Sequence, residues 1–150
     1  PIVGSKQTIR AAPISIGRSF VGWSDGISDP VRAFTTGPEP MTLTANYVNK
    51  VPKLVLKLVR RSSKAARTLK LDASGTIDPE GEPLRFLWTF SDRRRMRGPI
   101  VTRKFTRTGS YGVTLTVSDR LGGTVVYKGR ISIGRRASIR RLSLKPGREV

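Results

Sequence analysis

Four arginines fall within five residues at Arg93-Arg94-Arg95-Met96-Arg97, shortly after an aromatic run, Phe86-Leu87-Trp88-Thr89-Phe90. A guanidinium grips phosphate, sulfate or carboxylate through paired hydrogen bonds, so Arg93, Arg94, Arg95 and Arg97 are candidate anion-binding residues. The competing reading is a solvated charged loop. The chain has no histidine and no cysteine. That removes the Ser-His-Asp triad, the cysteine nucleophile, the histidine general base and the usual zinc ligands together. Carboxylates remain, and a glycosidase needs only two of them at a set separation. Asp72, Asp78, Glu80, Glu82, Asp92 and Asp119 fall mostly in turn-forming segments and mark no shared cleft. No catalysis is expected of this chain.

The elements that position these residues are strands. Helical periodicity is scarce, whereas short alternating runs separated by Gly, Pro, Asp and Ser recur along most of the chain. Strands are expected at 6–11, 19–24, 31–35, 41–48, 53–59, 67–72, 84–90, 100–105, 110–118 and 124–133. Asp25-Gly26 and Gly122-Gly123 suit tight hairpins, and Asp78-Pro79-Glu80-Gly81 combines a preset φ with a glycine exit. Leu84, Phe86, Trp88 and Phe90 should share one face, as should Tyr111, Val113, Leu115 and Val117, with Arg85, Thr89, Thr114, Thr116 and Ser118 opposite. Leu69, Leu71, Tyr127, Ile131, Ile133 and the leucines 54, 56 and 58 add further strands to that core. Strands buried on one face and wet on the other describe an antiparallel sandwich pinned by Trp88.

The polar hinge Asn49-Lys50-Val51-Pro52 divides the chain into a module at 1–48, a linker at 49–52, a sandwich at 53–133 and a basic linker, or the start of a further module, at 134–150. The chain begins without methionine in what reads as a strand, Pro1-Ile2-Val3, so it is expected to be a piece of a longer polypeptide. Residues 1–10 do not look like a signal peptide, and no apolar stretch approaches the roughly 20 residues of a membrane span.

The net charge is +19, with Lys plus Arg against Asp plus Glu at 5 to 3 in residues 1–50, 18 to 6 in 51–133 and 6 to 1 in 134–150. Such a surplus attracts polyanions such as nucleic acid, teichoic acid or acidic polysaccharide. The plainer reading is a compositional preference for arginine, which outnumbers lysine 20 to 9 and is scattered over strands and loops alike. Specific nucleic-acid binding is not expected, because Phe86, Trp88 and Phe90 are committed to the core rather than to stacking on bases. Trp23 and Tyr127 are the aromatics expected to be partly open.

The run from Leu71-Asp72-Ala73-Ser74-Gly75-Thr76-Ile77-Asp78-Pro79-Glu80-Gly81 to Trp88-Thr89-Phe90, with Gly109-Ser110-Tyr111-Gly112-Val113-Thr114-Leu115-Thr116-Val117-Ser118-Asp119, resembles the PKD (polycystic kidney disease) domain over about 53–133. The resemblance implies an immunoglobulin-like sandwich. It departs where the family usually has a Gly-Asp-Gly turn and this chain has Ser91-Asp92-Arg93. It also implies a calcium site at Asp78, Glu80 and Asp119, since some such domains hold the ion with carboxylates from two loops. The alternative is that Asp78 and Asp119 cap their own turns.

Phe20-Val21-Gly22-Trp23-Ser24-Asp25-Gly26 and Met41-Thr42-Leu43-Thr44-Ala45-Asn46-Tyr47 are similar to the internalin-type B repeat of bacterial surface proteins, here lacking a first strand. The two modules in series resemble the C-terminal region of secreted bacterial glucose/sorbosone quinoprotein dehydrogenases. These resemblances imply an extracellular, non-catalytic interaction or spacer module whose partner is polysaccharide, cell-wall polymer or protein. The alternatives are an accessory tail of such a dehydrogenase and an electrostatic polyanion binder.

Overall fold

The computed structural model describes residues 2–60 and 67–133. The tail at 134–150 lies outside them. All described elements are β-strands and the ladders are antiparallel; no described helix is long and apolar enough to cross a membrane. The chain divides into two compact units between Lys50 and Val51.

The first unit carries β1 (Lys6–Arg10), β2 (Ile14–Ser15), β3 (Arg18–Trp23), β4 (Val31–Thr35) and β5 (Ala45–Val48). They form a two-stranded β1-β4 sheet and a three-stranded β2-β3-β5 sheet. Ile2 and Val3 lie outside any strand, and Val3 is in a turn with Gly4, so the strand expected there does not form. The strand expected from Met41 starts only at Ala45. Trp23 is buried, contrary to expectation, with its indole N–H donating 2.9 Å to the Asp29 carbonyl and its ring edge-on to Phe20.

The second unit is the sandwich. Its strands are β6 (Lys57–Arg60), β7 (Thr68–Asp72), β8 (Arg85–Phe90), β9 (Arg95–Arg97), β10 (Ile100–Lys104), β11 (Gly109–Ser118) and β12 (Thr124–Ile133). One sheet runs β10-β7-β6 and the other β12-β11-β8-β9. The strand expected from Lys53 is interrupted. Lys53 bridges Ile77, then the Thr76 hydroxyl takes the Val55 N–H at 3.1 Å, and pairing with β7 resumes at Lys57.

Alternation places Trp88, Phe90, Val113, Leu115, Val117, Tyr127 and Ile131 on the inner face of the four-stranded sheet, against Leu69, Leu71, Val101 and Phe105 from the other side. Trp88 is fully buried, and its indole N–H donates 2.9 Å to the Gly98 carbonyl, tying β8 to the turn that leaves β9. Tyr127 is buried rather than partly open: its ring lies along its own strand over Gly129, where no side chain intervenes.

Candidate functional site

Asp78 and Asp119 organise two loops of the sandwich by the same device. The Oδ1 atom of Asp78 accepts the N–H groups of Glu80 and Glu82, both at 3.0 Å, and that of Asp119 accepts those of Leu121 and Gly123 at 2.7 and 2.9 Å. Each carboxylate thereby closes its own turn, and Gly81 and Gly122 supply the left-handed backbone, with φ of 80° and 96°. Asp119 and Glu80 are buried. The Oδ2 atom of Asp78 is buried without a hydrogen-bond partner. Among the described residues no three His, Cys, Asp or Glu side chains come together in a group that could hold a metal ion.

The arginine cluster is split by the backbone. Phe90 and Arg94 pair across a three-residue turn, Ser91-Asp92-Arg93, in which Arg93 takes the left-handed conformation, φ 67°, that glycine usually fills. Arg93 and Arg94 are exposed at this tip. The segment expected to be wholly loop then becomes β9: Arg95 pairs Thr89, Met96 pairs Trp88 and Arg97 pairs Leu87. Met96 packs on the core while Arg95 and Arg97 point outward, so a charge-apolar-charge triplet satisfies an edge strand.

Beneath that tip lies a group that the sequence pattern concealed. Arg103 sits at an inward position of β10 between Val101 and Phe105, and its side chain is 5% exposed. Its guanidinium carbon stands 3.9 Å from the Phe90 ring centre and 4.4 Å from that of Phe105, and its Nη2 pairs with Asp92. The Nε and Nη1 atoms have no hydrogen-bond partner, so the rings and one carboxylate carry the buried charge. Burial pushes the Asp92 pKa up, but the Arg103 hydrogen bond, the Arg94 N–H and the Arg103 charge together hold it below the ordinary value of 3.8.

The outer face of the four-stranded sheet carries a further set of cations. In register, Lys128, Thr114, Thr89 and Arg95 form one row across it, and Val126, Thr116, Leu87 and Arg97 the next. Ser118 and Arg85 extend the third row, and Arg130 sits opposite Gly112. Arg85, Arg95, Arg97, Lys128 and Arg130 are exposed, and the outward positions of these strands hold no Asp, no Glu and no aromatic residue. Arg85, Arg97, Leu87, Thr116 and Ser118 line an open cleft of about 590 Å³ on this face. The structure therefore sets Arg97 in the same cleft as Arg85, places Arg95 farther along the same face, and leaves Arg93 and Arg94 at the hairpin tip. Counting outward positions along strands 84–90 and 124–133 is the signal that would have joined Arg85 and Lys128 to the cluster.

A family model described as the PKD domain matches residues 49–130. Collagenase ColA of Clostridium perfringens (strain 13 / Type A) is 33% identical over 92 residues, which cover 61% of this chain and 8% of that collagenase. Among solved structures, the PKD1 domain of Vibrio anguillarum Epp is similar with a TM-score of 0.47 and 21% identity, over 57% of this chain and 95% of that one.

Proposed function

Since the chain belongs to the PKD domain family through residues 49–130, we propose that it is a non-catalytic module of a larger exported protein, which spaces that protein or attaches it to a polymeric surface. The observation that carries this reading is how the sandwich uses its polar groups. The turn carboxylates Asp78 and Asp119 are engaged with their own backbones, and the cations are displayed on an open sheet face. A molecule built this way presents a surface and closes no reaction chamber. Similarity to a short stretch of a collagenase supports an exported, multidomain parent. On this reading 53–133 is the working module, 49–52 its linker, and 1–48 a preceding repeat. The repeat resemblance and the dehydrogenase arrangement rest on sequence alone.

The test is deletion of 49–133 from the parent protein. Turnover of a small soluble substrate should persist while retention on the insoluble polymer or cell wall falls. Loss of soluble turnover in a protein that remains folded overturns the reading.

Calcium at Asp78, Glu80 and Asp119 is a second reading: the buried, unpartnered Oδ2 atom of Asp78 has capacity to spare for a hard cation, but the three carboxylates do not stand together in this structure, so binding would have to draw Glu80 and Asp119 toward it. Calorimetry should show heat on adding calcium to the chain and none with Asp78→Ala. Absence of heat with the unaltered chain ends it.

A further inference from the structure

We propose that the outer face of the β12-β11-β8-β9 sheet is a binding site for a uronate polysaccharide, with the Arg85 and Arg97 guanidiniums taking its carboxylates. The inference rests on the attachment reading and names the ligand and the surface. Charge complementarity selects an anion: Arg85, Arg95, Arg97, Lys128 and Arg130 stand on one face that carries no carboxylate. The opposite sheet differs, because there outward Lys70 is paired at 3.3 Å with Asp72.

Shape selects a chain lying across strands. Arg95 and Arg97 are two residues apart on an edge strand, which places them roughly 7 Å from each other, and Arg85 lines the cleft with Arg97 from the neighbouring strand. Anions repeated along a polymer would meet cations repeated along the sheet.

Chemistry then separates the polyanions. Beside the two guanidiniums the cleft is lined by Thr116 and Ser118 and by the apolar residues Leu84, Phe86, Leu87 and Pro99, hydroxyls and apolar surface suited to the alternating polar and apolar edges of a sugar ring. Phe86 is the one aromatic residue lining the cleft, and it is packed against the core from an inward position, while the outward positions offer no ring on which a base could stack, so nothing there reads a nucleic acid beyond its phosphates. A planar carboxylate matches the guanidinium fork through two parallel hydrogen bonds, which a lysine cannot supply.

Calorimetric titration of the full chain with oligogalacturonate tests this at moderate salt, where scattered surface charge is largely screened. Arg85→Ser/Arg97→Ser should weaken binding at least about tenfold, equivalent to roughly 1.4 kcal/mol. Arg85→Lys/Arg97→Lys, which keeps the charge and loses the fork, should weaken it several-fold. Lys104→Ser/Arg107→Ser removes the same charge away from this face and should change it less than about twofold. Equal losses in the two serine pairs would mean that only net charge matters and would overturn the site. Equal or tighter binding of dextran sulfate, polyglutamate or DNA overturns the ligand class, as does failure to bind oligogalacturonate. In that last case, a deletion that still frees the parent from its polymer would leave the attachment reading standing.

Discussion

The two units spend apolar residues differently. In the first, the buried apolar side chains are Ala11 and Trp23, while Ile2, Val3, Ile14, Ile16, Val21, Ile27, Met41 and Val48 are exposed. In the second, Leu69, Leu71, Trp88, Phe90, Leu115, Val117 and Ile131 reach 3% exposure or less between two sheets, one of them built on two ten-residue strands. The difference lies in strand length and in closure: a sheet stabilises its inner face only where a second sheet covers it. The second unit can accordingly dedicate an outer face to binding, because its stability does not depend on that face.

Removing the central pin is the strongest way to break the contrast. Trp88→Ala should cost about 3–5 kcal/mol, a large part of the 5–15 kcal/mol that holds a typical domain, and should abolish the cooperative melt of the second unit by near-ultraviolet circular dichroism. Trp23→Ala should cost about 2 kcal/mol, because fewer buried neighbours surround the hole. Equal costs would show that the first unit has a closed core of its own.

A smaller insertion probes how tightly that closure is made. A Cβ at Gly129 would stand 2.9 Å from the Cε1 and Cζ atoms of Tyr127, whose ring is buried and has nowhere to turn. Gly129→Ala should therefore cost about 3 kcal/mol, the upper end of overpacking effects. Tyr127→Phe should be neutral or slightly stabilising, since the phenol oxygen is buried without a partner and its burial already raises the Tyr127 pKa. Tyr127→Phe with Gly129→Ala should recover part of the loss in urea unfolding, because the tyrosine oxygen is also in the way of the added carbon.

Electrostatics extends the comparison to acid. Asp25 in the first unit is lowered chiefly by its Arg32 hydrogen bond, with the Ile27 N–H helping, and Asp92 in the second is lowered by Arg103 against its own burial. A carboxylate whose folded pKa is depressed contributes stability that is complete above its unfolded value and is lost as pH falls through the folded one. The Asp25 and Asp92 contributions should therefore be complete above about pH 3.8 and be lost below it. Asp92→Asn should remove its share of that limb for the second unit and leave the share of Asp72, which is lowered chiefly by its Ser74 hydrogen bonds. At neutral pH, Asp92→Ala should cost about 1–3 kcal/mol by stranding the Arg103 charge, and Arg103→Met in that background should restore most of it.

What the sequence showed and hid follows from the same physics. The alternation in 84–90 and 110–118 was legible because the inward residues are apolar and the outward ones polar, and the turns at Asp78 and Asp119 were legible because Asp-Pro and Gly-Gly carry local geometry. β9 was hidden, since Arg-Met-Arg gives one apolar residue of pattern and reads as solvated charge. Arg103 was hidden for the converse reason: a charge at an inward position breaks alternation, and the rings of Phe90, Phe105 and Tyr111 together with the Asp92 carboxylate make the placement tolerable. Trp23 and Tyr127 were read as partly open because their burial depends on what covers them, the Asp29 loop and the facing sheet. The cationic face was half visible. Its outward residues could be counted along each strand, but that Arg85 and Arg97 fall in adjacent rows requires the pairing register.

The subtlest comparison concerns one turn in each unit. Ile16 and Arg93 both hold positive φ, 51° and 67°, at hairpin turns where a side chain costs energy that glycine or asparagine avoids. Ile16 is β-branched and 90% exposed, so nothing gained by packing offsets the strain. Ile16→Asn should stabilise the first unit by about 1 kcal/mol, and Arg93→Gly the second by about 0.5 kcal/mol, the gain there being reduced by glycine's larger unfolded-state entropy. Chemical denaturation resolves both if the two units unfold at separate midpoints. Since Arg93 lies at the hairpin tip and not on the sheet face, Arg93→Gly should leave oligogalacturonate binding within about twofold. A stabilised Arg93→Gly variant that had lost binding would move the site from the sheet to the loop.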